Sequence, residues 1–173
     1  GTAASACKDA DGFIAADAQS GFANGTVLID PRDITVADTG TDDGLIFGDG
    51  EVIFTDAGNT DITISDEAIE AIDGDILLQA FRHIFIEEQL DLVGGHDVTL
   101  EAWGSIILDA QIVGAHNLTL VADANFDGVT DEIRINVPIS ITGDLYTHAQ
   151  RILLNSGTVY SAGDQLYDGP TDL

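Results

Sequence analysis

The sequence predicts an all-β fold, a parallel β-helix of about 20–22 residues per coil, on three observations. Hydrophobic residues alternate at period two, the alternating segments recur in phase, and two further apolar strands follow each copy at nearly the same distance.

The first strand recurs at residues 75–80, 97–102, 117–122 and 144–149, at steps of 22, 20 and 27 residues. Each copy opens on Asp75, Asp97, Asn117 or Asp144 and closes on Ala80, Ala102, Ala122 or Ala149. Side chains of a strand alternate between its two faces, so Ile76, Leu78 and Ala80 share one face while Leu77 and Gln79 take the other. The inward columns then read Ile76, Val98, Leu118, Leu145 and Leu78, Leu100, Leu120, Thr147, followed by the four alanines.

A second strand follows at 83–86, 105–108, 132–135 and 151–154, and a third apolar patch at 90–93, 111–113 and 137–141. Three short strands per coil satisfy the backbone by pairing with the coils above and below, about 4.8 Å away. A β-sandwich with evenly spaced short strands is the alternative reading.

Upstream, residues 33–36 and 61–64 look like two further copies of the first strand, although their spacings of 28 and 14 break the period. Ser65 is placed to cap a short helix through Ile72, lying across a rung before the regular coils. Residues 1–24, anchored only by Phe13, Ile14 and Phe22, read as an N-terminal arm or cap, and 25–173 as the β-helix domain.

Composition narrows the partners. Thirty-one acidic residues against five basic ones give a formal charge of −26, which repels nucleic acid and anionic membranes and favours cations. The hydrophobic share of 45% is enough for a core, so the chain is not a disordered acidic tail. With Cys7 as the single cysteine there is no internal disulfide framework. No segment reaches the roughly 20 apolar residues of a membrane-spanning helix. The absence of an initiator Met or a charged-then-apolar leader suggests a mature or excised piece.

The strongest chemical motif is Asp123-Ala-Asn125-Phe-Asp127-Gly128-Val129-Thr-Asp131, followed by Glu132. Side-chain oxygens from Asp123, Asn125 and Asp127, the Val129 carbonyl, and a carboxylate from Asp131 or Glu132 make a calcium set with bonds of about 2.3–2.6 Å. Position 12 of a helix-loop-helix calcium loop would be Arg134, so a short β-loop variety is expected. The motif also accounts for the long step of 27, as an insertion at 123–132 between first and second strands of one coil. Asp9, Asp11 and Asp17 around Gly12 are a weaker echo. An acidic surface turn is the alternative for both segments.

Other candidates point less clearly. His96 and His116 precede the aligned Asp97 and Asn117, a stacked pair that would suit a transition metal, but Gly74 and Gly143 share the column, which favours turn residues. Thr35, Thr63, Thr99 and Thr119 would share an outward column, interrupted by Leu77 and Tyr146, too broken for an ice-ordering array. Arg32, Arg82, Arg134 and Arg151 fall in different columns and converge on no acidic pair, so no catalytic site is expected. Trp103 and Tyr146 are the aromatics available to stack on a sugar.

The order of a Leu28-Ile29-Asp30-Pro31 strand, a short helix at 64–72, coils of the 97–102 type and a tail at 162–169 resembles the filamentous-haemagglutinin-like exoproteins of two-partner secretion. The resemblance covers residues 27–169 and implies a right-handed β-helix, exported to the cell surface for adhesion or surface structure, with no catalytic residues to carry over. The expectation is a non-enzymatic extracellular module that self-associates head to tail into a calcium-assisted filament, or neighbours further repeats of a longer surface protein. A polysaccharide-binding or polysaccharide-degrading β-helix is the alternative.

Overall fold

The computed structural model describes residues 26–29, 31–44, 60–92, 94–122, 131–156 and 158–172, with 26–29 described by backbone. The chain visits three stacked sheets in turn. The first sheet holds, in spatial order, β1 (Thr26–Ile29), β4 (Asp75–Ala80), β7 (Val98–Ala102), β10 (Leu118–Val121), β13 (Leu145–His148) and β16 (Gln165–Asp168). The second holds β3 (Asp61–Ser65), β2 (Asp33–Ala37), β5 (Ile84–Ile86), β8 (Ile106–Leu108), β11 (Glu132–Ile135), β14 (Arg151–Leu154) and β17 (Thr171–Asp172). The third holds β6 (Leu90–Asp91), β9 (Ile112–Val113), β12 (Ile139–Ile141) and β15 (Val159–Ser161). Every pairing among the described residues is parallel. A sandwich of antiparallel sheets is therefore excluded, and the fold is a parallel β-helix.

The stacked columns are those the alternation predicts. Ile76, Val98, Leu118 and Leu145 lie in register, as do Leu78, Leu100, Leu120 and Thr147, and their side chains are buried. In the second sheet, Ile84, Ile106, Ile133 and Ile152 form one buried column, and Ile86, Leu108, Ile135 and Leu154 another. Each such side chain contributes about 1.5–3 kcal/mol through removal from water, so these aliphatic columns dominate the stability. Ala80, Ala102, Ala122 and Ala149 are buried where the first sheet turns into the second. Gly114 turns the chain after β9 at φ 80°, and a Cβ there would strike the Leu92 carbonyl of the coil below.

Two upstream expectations need correction. Residues 33–36 and 61–64 are copies of the second strand, not the first: Asp33 pairs with Asp61, and Ile34 with both Ile62 and Ile84. The first-strand position below β4 is filled by β1, with Val27 opposite Ile76. Alternation determines which side chains face the core, but it does not say which sheet a strand joins. The threonine column divides for the same reason. Thr99 and Thr119 lie on the first sheet between Leu77 and Tyr146, whereas Thr63 and Thr35 lie on the second beneath Phe85.

β3 sits outside β2, so the chain has passed back beneath its own first coil. Its free edge is covered by the segment 41–44. Asp42 N–H donates to the Thr63 carbonyl at 3.0 Å, and Asp42 Oδ2 accepts the Thr63 N–H at 2.9 Å. Asp43 accepts the Ser65 N–H and hydroxyl at 2.7 and 2.9 Å. Ser65 in turn caps α1 (Asp66–Glu70), its Oγ accepting the Ala68 N–H at 3.2 Å, as the sequence predicts. The helix buries Ala68 and Ile69 and closes the third sheet, where Glu70 accepts the Asp91 N–H of β6 at 2.6 Å.

At the other end the interior changes character. Gln165 stacks on Leu145, Tyr167 on Thr147 and Thr171 on Ile152, so aliphatic columns end in polar residues. Tyr167 donates its hydroxyl to Gln165 Oε1 at 3.0 Å, and Gln165 Nε2 donates to the Val159 carbonyl at 3.4 Å. These bonds form a small polar lid. The outer backbone edges of β15, β16 and β17 pair with no strand among the described residues, and Tyr160 and Leu166 beside them are 61% and 58% exposed. The arm at 1–24, including Cys7 and the Asp9, Asp11 and Asp17 cluster, lies outside the described residues.

Candidate functional site

Of the expected calcium ligands, Asp123, Asn125, Asp127 and Val129 lie outside the described residues, and Asp131 and Glu132 lie within them. The described residues on either side, Ala122 after the first-sheet strand β10 and Glu132 at the start of the second-sheet strand β11, are both anchored. Ala122 N–H donates to the His148 carbonyl at 2.9 Å, and Glu132 N–H donates to Ser105 Oγ at 3.1 Å. Nine residues, 123–131, separate Ala122 from Glu132, where Phe81 and Arg82, Trp103 and Gly104, or Gln150 alone suffice in other coils. The extra length is therefore not needed to turn the corner. The Glu132 carboxylate is ion-paired with Arg134 on its own strand. Among the described residues no group of three or more His, Cys, Asp or Glu is arranged to hold a metal.

The polar residues that the structure does bring together form ladders running up the stack. Asp75 Oδ1 accepts the Asp97 N–H at 3.1 Å, and Asp97 Oδ1 accepts the Asn117 N–H at 3.2 Å. Asn117 Oδ1 then accepts the Asp144 N–H, and Asp144 Oδ1 the Asp164 N–H, each at 2.8 Å. The recurrent Asp or Asn before each first strand thus offers its side-chain oxygen to the backbone of the next rung. Each step satisfies a turn N–H that no sheet ladder reaches.

A second ladder runs along the corner of the second sheet. Asp33 Oδ1 accepts the His83 N–H at 3.0 Å, His83 Nδ1 accepts the Ser105 N–H at 3.0 Å, and Ser105 accepts from Glu132 as above. A third joins the far ends of the second-sheet strands. Asn155 Nδ2 donates to Asn136 Oδ1, and Asn136 Nδ2 to Asp109 Oδ1, both at 2.6 Å. Sequence reasoning aligned the first of these columns but did not assign the role. The signal was the recurrence of an oxygen-bearing side chain at one register position.

The histidine pair separates at the side chains. The backbones are neighbours, with His116 N–H donating to the His96 carbonyl at 2.9 Å, and Gly143 and Gly163 continue the column. His96 is buried with Nε2 3.6 Å from Asp73, whereas His116 Nδ1 lies 3.0 Å from Asp97 Oδ1. Burial pushes the Asp97 carboxyl up. The bonds from His116 and from the Asn117 side chain and backbone, with the His116 charge, outweigh it and hold the group below the usual range.

Each arginine meets one carboxylate. Arg32 grips Asp61 with two bonds of 2.7 and 2.5 Å, and that hydrogen bonding lowers the Asp61 pKa and raises that of Arg32. Arg82 pairs with Asp33 at 3.3 Å, Arg134 with Glu132, and Arg151 with Asp172 at 2.9 Å. The expectation of four separate columns is corrected for one pair, since Arg82 N–H donates to the Arg32 carbonyl at 2.8 Å and the two occupy the same corner on successive rungs. Trp103, 46% exposed, meets Phe81 edge to face at 4.5 Å. Tyr146 lies on the outer face of the first sheet between Thr119 and Leu166, so the two aromatics form no common platform.

Comparison with protein-family models, curated proteins and solved structures finds no match for this chain.

Proposed function

We propose that the chain is a non-enzymatic extracellular structural or adhesive module. The observation that supports this reading is the Asp75–Asp97–Asn117–Asp144–Asp164 ladder, in which polar side chains are used to join rungs rather than converging on a cleft. The arginines that a glycan-cleaving β-helix would direct at its substrate are each paired with a carboxylate. The order of strand, short helix and coils resembles exported haemagglutinin-like proteins, which fits a surface location.

Head-to-tail assembly is part of the proposal. The outer edges of β15, β16 and β17 offer backbone groups to another chain, as sheet edges do. Calcium bound at 123–132 would reduce the repulsion between subunits of charge −26. Electron microscopy with calcium and after chelation tests the assembly: fibres of uniform width that disperse on chelation are expected, and monomers under both conditions would reject it. Calcium at a hundredfold excess over Kd should add about 2.7 kcal/mol to stability, and Asp127→Ala should remove that gain. An unchanged melting temperature on chelation would exclude the calcium loop.

Exposed Trp103 on Phe81 favours one second reading, polysaccharide binding. Retention on an insoluble polysaccharide that Trp103→Ala abolishes would support it.

A further inference from the structure

Four histidines lie among the described residues, and His83 is connected differently from the other three. His116 Nδ1 and His148 Nδ1 face carboxylates at 3.0 and 2.8 Å, and His96 Nε2 faces Asp73 at 3.6 Å. A proton on those rings is met by an acceptor. His83 Nδ1 is itself the acceptor, taking the Ser105 N–H of the rung above at 3.0 Å. That bond requires a lone pair on Nδ1, so the ring is the neutral tautomer protonated on Nε2.

We propose that His83 is an acid-sensitive step in the stack, an imidazole occupying a ladder position that an oxygen holds in the rungs on either side. When the ring takes a second proton, Nδ1–H confronts the Ser105 N–H and the bond between β5 and β8 at this corner is lost. Among the described residues, the surroundings give the cation no direct replacement. The Asp33 carboxylate on the rung below already accepts the His83 backbone N–H at 3.0 Å and pairs with the Arg82 guanidinium at 3.3 Å. Arg32, on the rung below Arg82, is held by Asp61, and the Phe85 ring lies 5.9 Å from the imidazole. Ser105 Oγ continues to Glu132, so the step that loosens adjoins the coil carrying the insertion.

The sign follows from linkage. A group that must stay neutral in the native ladder stabilises while it is neutral and ceases to do so as pH falls and it takes up a proton. The Asp97 carboxylate, held below the usual range, stays ionised over the same interval, so its step to Asn117 serves as an internal control.

The test is amide hydrogen exchange on the full chain between pH 7.5 and 5, corrected for the intrinsic pH dependence of exchange. Ser105 protection is expected to fall roughly three- to tenfold relative to that of Asn117, whose N–H is held by Asp97. His83→Asn supplies an oxygen acceptor, as Asn117 does for Asp144, and should abolish the fall. Ring nitrogen shifts of the wild-type protein give a second readout: Nδ1 of His83 unprotonated at pH 7.5, titrating together with Ser105 protection. Equal protection of Ser105 and Asn117 across the range, a fall retained in His83→Asn, or a protonated Nδ1 at pH 7.5 would each overturn the proposal.

Discussion

Asn117 donates its side-chain Nδ2 to Asp97 Oδ1 at 3.0 Å, while its own Oδ1 accepts the Asp144 N–H of the rung above. An amide is the side chain that can give to the rung below and receive from the rung above at once, and it also separates Asp97 from Asp144 by one uncharged step. Asn117→Asp would keep the acceptor, remove the donor and make all five steps from Asp75 to Asp164 carboxylates. The expected loss is about 1–2 kcal/mol, shrinking as salt screens the repulsion. Urea unfolding at low and high ionic strength measures both. A variant as stable as the parent at low salt would show that the ladder contributes nothing there.

Asp97 gives the stack a definite acid response. Its carboxyl is held below the usual range by His116 and Asn117 against the opposing effect of burial. Its contribution is therefore complete above the ordinary carboxylate range near pH 4 and is lost as pH falls through the lower folded value. Because its side chain is 48% exposed, solvent screening limits the contribution to about 1 kcal/mol or less. Asp97→Asn should lower stability at pH 7 and flatten this part of the acid-unfolding curve. A parallel downward displacement of the whole curve would assign the effect to something other than titration.

The buried columns predict a penalty for opposite changes of size at two successive inward positions of one strand. Leu100 is fully buried between Leu78 and Leu120, so Leu100→Ala leaves a cavity and should cost about 2–5 kcal/mol. Two residues on, Ala102 is equally buried at the corner, and Ala102→Leu overfills it, costing about 1–3 kcal/mol. Guanidinium unfolding of the two variants is the check. A neutral Ala102→Leu would mean that the corner has spare volume.

The fold was legible wherever alternation and period coincide, as in the 75–80, 97–102 and 117–122 copies, because facing and stacking are both written in residue type. It was least legible upstream. The Asp-Ile-Thr start of 33–36 and 61–64 has the same alternation as a first-strand copy, and β3 reaches its place by running back beneath β2, which no period records. The ladders were legible as a column but not as bonds, since Asp75 or Asp144 accepting from the next rung depends on turn geometry. Ser65 was readable as a cap from its local sequence, while its anchor Asp43 lies 22 residues away.

The last described rung distinguishes two ways that chains can join end to end. Inward-facing Gln165 occupies the column held below by Leu145, and it ties the Tyr167 hydroxyl to the Val159 carbonyl. With this polar lid in place, another chain meets backbone edges that no described strand pairs, and flanking Tyr160 and Leu166, rather than an extension of the aliphatic core. Gln165→Leu would continue the aliphatic column of Ile76, Val98, Leu118 and Leu145 to the end of the described stack and release the Tyr167 hydroxyl. If the lid opposes core-to-core stacking, the variant should self-associate at a protein concentration at least tenfold lower than the parent, since burying one more leucine across a contact is worth about 1.5–3 kcal/mol. Sedimentation velocity over a concentration series, with and without calcium, reads the change. Association of parent and variant at the same concentration would show that Gln165 is no barrier and that backbone edges alone govern the contact.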